Sequence, residues 1–235
     1  MQTLRVEARR DNGVVDAPSR AAFISLLSVA GDGPAAYLLR TARQRTARPG
    51  EVLVEEEQTD HAGVLIEGML RTVVSLPDGR AATIHYPKPV QFFGLPTVFT
   101  AVPLSVHVVR KATVIELEAT EVRRCARVFP EFGEFLSRQL AAAVGRVPAI
   151  IEDFGFRSVS QRVASHLISL SEPDTLTGER TAHVTGTALA EYVGSAREVV
   201  SRCLRSLSEQ GIVTIARGSV HIVNEARLQR LAGQL

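Results

Sequence analysis

Charged and polar side chains recur along one face of a predicted helix near the C-terminus. Residues 195–210 read SAREVVSRCLRSLSEQ, and one helical face carries Arg197, Glu198, Ser201, Arg202 and Arg205. Arginine can pair with the O6 and N7 atoms of guanine, and glutamate can accept a hydrogen bond from the N4 of cytosine. The other face is apolar, with Val199, Val200, Cys203, Leu204 and Leu207. The division predicts a helix that packs on its own domain and reads base edges, although an amphipathic helix with a solvated charged face fits the same pattern.

The neighbouring elements complete a helix-turn-helix pattern. A shorter helix is predicted from Thr185 to Val193, and Gly194 follows it where a tight turn needs a positive φ. Thr185 and Ser195 are predicted N-caps of the two helices. The runs IVTIA and VHIVN flank RGS, which predicts a β-hairpin of wing size with Arg217 at its tip, where a DNA phosphate would lie. The segment therefore favours a winged helix-turn-helix that binds double-stranded DNA.

The N-terminal half has the pattern of a β-structure. Between residues 37 and 117, turn signals separate the β-rich runs EVLVEE, AGVLIEG, MLRTVVSL, AATIHY, LSVHVV and ATVIELE. Many short strands at close spacing predict a small antiparallel β-barrel or jelly roll. Pro77-Asp78-Gly79 is a predicted hairpin turn, and the polar residues 1–20 are predicted to form a flexible arm.

A long helix is predicted over residues 131–154. Its apolar positions follow the 4-3 spacing of a coiled coil, at Leu136, Leu140, Ala143, Val147, Ile150 and Phe154. This stripe predicts the interface of a parallel homodimer, and the alternative is that it packs on the barrel of its own chain. Pro148 removes a backbone donor, so the helix is expected to bend or break near Arg146.

Composition predicts a soluble, cytoplasmic protein. No run reaches the roughly 20 apolar residues that span a bilayer, and the charged N-terminus lacks the apolar centre of a signal peptide. The two cysteines, Cys125 and Cys203, are too few for an iron-sulfur cluster. We expect an α+β protein with four parts: the arm 1–20, a sensor barrel 21–130, a dimerisation helix 131–155 and a winged helix-turn-helix 156–235.

The segment from Gly194 to Arg202, GSAREVVSR, resembles the glycine turn and S-R-E-T-V-S-R motif of the Crp/Fnr family of dimeric bacterial transcription regulators. The resemblance implies a cyclic-nucleotide-binding-like barrel, a homodimer on a palindromic site whose half-sites begin with TG, and RNA polymerase as a further candidate partner. Arg197, Glu198 and Arg202 match the base-reading positions of the cAMP receptor type, and Glu198, Ser201 and Arg202 match those of the oxygen-sensor type. The family's barrel turns are expected at Pro49-Gly50-Glu51 and Ile66-Glu67-Gly68.

The effector pocket of that family departs from its pattern here. The family pairs Gly-Glu with a later Arg-Ser, whereas this chain has Gly94, Leu95, Leu104 and Ser105, with Val147 facing them from the helix. A buried phosphate without its arginine would be an unpaired charge, so we expect that cAMP is not the effector. Two alternatives for the pocket remain. It could bind an apolar small-molecule effector, with Val98 and Phe99 also lining it, or it could be a filled core that needs no ligand. Haem is a further candidate ligand, with His85 and His107 as candidate axial ligands of its iron.

Two other functions compete with DNA reading. A cupin-like, metal-dependent jelly-roll enzyme needs clustered ligands, but His61, His85 and His107 are scattered and form no H-x-H pair. No metal site is predicted. The other function is a helix-turn-helix that binds a protein, which a salt titration of DNA binding would distinguish.

Overall fold

In the computed structural model of the protein, residues 13–56, 60–75, 81–174 and 179–233 are described. Their contacts divide into two units. One unit comprises the described residues up to Thr72 together with His85–Val144, and the other comprises Val73–Ile84 together with the residues from Gly145 onward.

The first unit opens with helices that the sequence analysis missed. Helix α1 spans Ala17–Leu27, a 3₁₀ turn follows at Ser28–Ala30, and α2 spans Asp32–Leu38. Asp16 caps α1 by accepting the Ser19 backbone N–H at 2.8 Å. Residues 17–20 are therefore helical, and the predicted arm is wrong at its C-terminal end.

Antiparallel strands form one sheet, most of which belongs to the first unit, whereas its residues 73–75 and 81–84 belong to the second. They are β1 (Arg43–Ala47), β2 (Val52–Val54), β3 (His61–Ser75), β4 (Ala81–His85), β5 (Gln91–Phe93) and β6 (Leu104–Glu118). The order is β1-β6-β3-β4, with β2 beside β6 and β5 beside β3. This architecture, with its helices, confirms the predicted α+β class.

Four of the predicted short strands are joined into two long ones. The expected turn at Ile66-Glu67-Gly68 is wrong, because β3 continues through it. Gly68 keeps a positive φ of 97° inside the strand, and any side chain there would collide with the Lys111 carbonyl of β6. Glycine therefore allows a close strand approach here instead of a chain reversal. Pro49-Gly50 does form a turn, with φ 88° at Gly50, and Pro77-Asp78-Gly79 lies outside the described residues.

Three helices follow the strands: α3 (Ala119–Val128), α4 (Pro130–Gly145) and α5 (Val147–Gly155). The predicted long helix breaks at Arg146, and Pro148 lies in the first turn of α5, where its missing N–H has no helical partner to lose. Phe132 and Leu136 of α4 are buried in the same apolar core as Phe23, Leu27 and Ile115.

The second unit contains the remaining elements: α6 (Val159–Leu170), β7 (Ser171–Pro173), β8 (Arg180–Ala182), α7 (Gly186–Val193), α8 (Arg197–Glu209), β9 (Val213–Ala216), β10 (Ser219–Ile222) and α9 (Glu225–Leu231). The strands form one antiparallel sheet in the order β7-β8-β10-β9. Strands β9 and β10 are the hairpin that the sequence predicts, whereas β7 and β8 were not predicted. Within the described ranges, no helix combines the length and the apolar character needed to cross a membrane.

Candidate nucleic-acid interface

Helix α7 begins at the cap that the sequence predicts. The Thr185 Oγ1 accepts a hydrogen bond from the Ala188 backbone N–H at 3.1 Å. This bond satisfies one of the N–H groups that the first helical turn leaves without a partner. Leu189, Ala190 and Val193 are buried, which holds α7 on its own unit and leaves Thr185 exposed.

The turn between the two helices depends on Gly194. Its φ of 66° is left-handed, and it is the C-cap of α7. The Ser195 N–H donates to the Ala190 carbonyl at 3.0 Å, and the Gly194 N–H donates to the Glu191 carbonyl at 3.2 Å. These bonds end α7 with a glycine-dependent motif, as the sequence predicts.

Helix α8 is shorter than predicted at its start. It begins at Arg197, and its N-cap is Ala196, which makes no side-chain capping bond. The expectation that Ser195 caps this helix is wrong, because Ser195 is taken up by the turn. Val200, Leu204 and Leu207 are buried along the inner face of α8, while Val199 and Cys203 are half-buried beside them.

The opposite face of α8 is open to solvent. All five polar positions that the sequence singles out are exposed: Arg197, Glu198, Ser201, Arg202 and Arg205. The apolar positions fix the orientation of the helix, so the guanidinium, carboxylate and hydroxyl groups point away from the core. The arrangement can donate to and accept from base edges in a major groove.

The wing also forms where the sequence predicts it. Strands β9 and β10 pair through Ser219↔Ala216, and the intervening turn has Gly218 at φ 80°. Arg217 is exposed at the tip. The other edge of β10 pairs with β8, through Val220↔Ala182. The sequence analysis missed β8, because a strand of three residues is too short to show an alternation of polar and apolar positions.

Two further contacts stabilise the helices of this unit. Ser158 and Gln161 form a capping box at the start of α6, with the Gln161 side chain accepting the Ser158 N–H at 2.8 Å. Arg227 of α9 donates to the Gln210 carbonyl at the end of α8, at 3.1 Å. Helix α9 was missed, although Asn224 before Glu225-Ala-Arg227 is a usable N-cap signal, and Asn224 does accept the Arg227 N–H at 3.0 Å.

The predicted effector-pocket residues fall into separate groups. Gly94, Leu95, Leu104 and Ser105 belong to the first unit, and Val147 belongs to the second. Leu95 and Val98 are buried in the core that the helices share with the strands. Leu104 packs instead against a second cluster, formed by strand residues such as Val106 and Val114, while Phe99 is 48% exposed. Leu95 and Leu104 therefore pack in different clusters.

The candidate haem ligands are engaged in other contacts. The His107 Nε2 lies 2.8 Å from the Ser105 Oγ, and His85 also has an interaction partner. Burial lowers the pKa of His107, the positive charge of Arg71 lowers it further, and Glu56 acts in the opposite direction. These conditions favour a neutral imidazole bonded to Ser105.

The predicted dimer positions differ in their environments. Leu136 is only 2% exposed within the core of its own unit, so its assignment to a dimer interface is wrong. Leu140, Ile150 and Phe154 are half-buried, whereas Val147 is 43% exposed. Val144 and Ile151, which the sequence analysis did not select, are 68% and 57% exposed. Helical periodicity alone gave no means of separating residues that face the chain's own core from residues that face outward.

Comparison with protein families finds matches in both parts of the chain. A model of the cyclic nucleotide-binding domain matches residues 44–128. A model of the Crp-like helix-turn-helix domain matches residues 161–231. The second match includes the turn, the exposed face of α8 and the wing.

Similar proteins are bacterial transcriptional regulators. The CRP-like cAMP-activated global transcriptional regulator of Mycobacterium tuberculosis is 28% identical over 187 residues, covering 77% of this chain and 84% of that protein. A CRP-family transcriptional regulator from Thermus thermophilus of known structure is 26% identical, with a TM-score of 0.66 over 80% of this chain and 96% of that one. These relatives are regulators, which confirms the predicted regulator over the metal-dependent enzyme.

A more distant solved structure shares the fold. The crystal structure of a Crp/Fnr-family regulator from Eubacterium rectale has a TM-score of 0.74, covers 85% of this chain and 94% of its own, and is 19% identical. Its likeness supports the order of barrel, helices and helix-turn-helix that the sequence predicts.

Proposed function

Because this chain belongs to the Crp/Fnr family of transcription regulators, we propose that it acts as a homodimer that reads a palindromic DNA site without responding to cAMP. The observation that carries the proposal is the division of α8 into a buried face and a polar face. Val200 and Leu204 are buried while Arg197, Glu198 and Arg202 are exposed. A reading helix needs both properties, since it must be held by its own domain and enter the major groove.

The exposed residues of the interface take different roles in this proposal. Arg197, Glu198 and Arg202 lie nearest the N-terminus of α8 and specify bases, with Ser201 between them. Arg205 lies farther along the helix, and Arg217 lies on the wing, so both contact phosphate. Thr185, at the start of α7, holds the first helix in place and is a further phosphate contact.

The dimer interface of the proposal is centred on exposed apolar residues around the α4–α5 junction. Leu140, Val144, Val147 and Ile151 have 4-3-4 spacing, and the last three are 68%, 43% and 57% exposed. Exposed apolar residues at such spacing favour a second helix as the partner. The four-part division into arm, sensor barrel, dimerisation helix and reader domain remains part of the proposal, with the arm ending before α1. RNA polymerase is a further partner, and the cytoplasm, where bacterial DNA lies, is the place of action.

The chemistry of the pocket positions argues against cAMP. Leu95 and Leu104 stand where the family pattern has glutamate and arginine, and both side chains pack in apolar clusters. Neither leucine can pair with a negative charge, so a cyclic phosphate would lose its water without the countercharge that the family's arginine supplies, which costs several kcal/mol. The M. tuberculosis relative is described as cAMP-activated, and this chain differs from it in regulation under the proposal.

Selection of binding sites from random duplex DNA tests the proposal. The expected result is a palindrome whose half-site centres are about one helical turn, near 34 Å, apart. Affinity for the selected site should fall steeply with salt concentration, because each phosphate contact releases counterions. If no palindrome emerges, or if binding is insensitive to salt, the proposed function is wrong and a protein partner becomes the better explanation.

A further inference from the structure

Phe154, which the sequence assigns to a dimer stripe, contacts the turn of the helix-turn-helix within the second unit. A methyl group placed on Gly194 would lie 3.4 Å from the Phe154 Cε1 and 3.3 Å from the Ala82 Cβ. It would also lie 3.5 Å from the Ala81 carbonyl oxygen. The turn is thus packed between α5 and the residues of β4 that belong to the same unit.

The ring of Phe154 also contacts α6. The guanidinium carbon of Arg162, on α6, lies 5.1 Å from the ring centroid, within the range of a cation–π contact. One turn of helix away, Arg157 pairs with Asp153 at 3.1 Å and also donates to the Ala232 carbonyl after α9. Helix α5 is therefore attached to the reader domain near both α6 and α9.

We propose that Phe154, Ala82 and Gly194 form a positioning contact, here named the turn joint, that fixes the reading helix relative to α5. The inference rests on the proposed function, because α5 continues the proposed dimerisation helix and α8 is the proposed reader. A dimer binds two half-sites well only when its two readers have one fixed separation. The turn joint supplies that rigidity next to the turn from which α8 starts.

The turn joint leaves the reading surface free. Arg197, Glu198 and Arg202 are exposed with the joint formed, and so is Arg217 on the wing. Ala82 is 2% exposed, so a shift of the turn away from it would open a gap in a packed region. The joint is therefore compatible with the DNA-bound state and is expected to persist in it.

The variant Phe154→Ala removes the ring from the joint, and Phe156→Ala is its matched control, because Phe156 is 83% exposed two residues away. Affinity should be measured for a single half-site, for the palindrome and for palindromes lengthened or shortened by one base pair. For the wild type, the second half-site should raise affinity by about 10²–10⁴-fold. In Phe154→Ala that gain should fall by about tenfold and the penalty for altered spacing should shrink, with half-site affinity unchanged.

The outcomes separate the alternatives. If Phe154→Ala keeps the palindrome gain and the spacing penalty of the wild type, the turn joint has no positioning role. If Phe154→Ala becomes a monomer while Phe156→Ala stays a dimer, Phe154 belongs to the dimer interface and the inference is overturned. If the wild type binds no palindrome, the proposed function fails first and the inference fails with it.

The conservative variant Phe154→Leu provides the test if Phe154→Ala does not fold. Leucine keeps an apolar side chain at this half-buried position and removes the ring whose centroid lies 5.1 Å from the Arg162 guanidinium carbon. The palindrome gain should again fall and the spacing penalty should shrink, with half-site affinity unchanged. A folded Phe154→Leu that keeps the wild-type gain and spacing penalty would overturn the inference.

Discussion

The Ser195 backbone N–H donates to the Ala190 carbonyl oxygen at 3.0 Å, and the chain can make this bond because Gly194 between them has a φ of 66°. A side chain in this left-handed region meets the neighbouring carbonyl oxygen, at a cost of about 1–2 kcal/mol. The turn between α7 and α8 therefore depends on a glycine, and the direction in which α8 starts depends on the turn.

Gly194→Ala should consequently lower the free energy of unfolding by about 1–2 kcal/mol, measured by urea denaturation followed by circular dichroism. Gly186→Ala is the matched control, because Gly186 lies in the first turn of α7 and a methyl group added there would enter open space. Equal losses in the two variants would show that the left-handed turn is not the cause.

The hydrogen-bonded pair of Ser105 and His107 predicts a pH dependence of stability. Since burial and then Arg71 lower the pKa of His107 in the folded protein, the unfolded chain binds the proton at higher pH. Stability should therefore fall as the pH drops below about 6.5, the ordinary histidine value, through the lowered folded value. Thermal unfolding between pH 7 and pH 5 should show a shallower decline for His107→Gln than for the wild type. Identical slopes would remove His107 as the titrating group.

Periodicity and turn chemistry were sufficient to predict helix α8 and the turn that precedes it. The buried positions of α8 recur at helical spacing. A glycine between two predicted helices indicates a turn with a positive φ, which other residues rarely adopt. The cap at Thr185 and the wing tip at Arg217 followed from the same local rules, which act over a few residues.

The errors arose where distant parts of the chain decide the structure. Leu136 shares its stripe with Val147, but only the packing of Phe23 and Phe132 around it makes it a core residue. Gly68 has the sequence signal of a turn, and the close approach of Lys111 on β6 makes it a strand residue instead. The start of α1 is an exception, because it lies in a segment without apolar periodicity and yet carries a local helix-start signal, Asp16 with Pro18 two residues later.

The proposed dimer predicts a change of oligomeric state. Val144→Glu together with Ile151→Glu places charges on positions that are 68% and 57% exposed in the single chain. Folding should be retained, but in a dimer the charges would be buried without partners, so light scattering should report monomers. Ile215→Glu, at a 46% exposed position on β9, is the control and should remain a dimer. A dimeric double variant would place the interface elsewhere.

Calorimetry with cAMP tests the effector proposal. No binding is expected at micromolar concentrations, because Leu95 and Leu104 offer the phosphate and ribose no charged or hydrogen-bonding side chain. The M. tuberculosis relative, a cAMP-activated regulator, serves as the positive control under the same conditions. Micromolar affinity in this chain would contradict the proposal.

The last prediction separates base reading from phosphate contact, using two exposed arginines on different elements. Arg202 lies on the open face of α8, and Arg217 lies at the tip of the β9–β10 wing. Arg202→Ala should cost about 1–3 kcal/mol per half-site and relax the preference at one guanine of the selected site, because a bidentate base contact is lost. Arg217→Ala should weaken binding to all sequences alike and reduce the salt dependence, because a phosphate contact carries no sequence information. Site selection from random DNA, repeated with each variant and followed by salt titrations, measures both effects. If Arg202→Ala selects the wild-type motif unchanged, α8 is not the element that reads the bases.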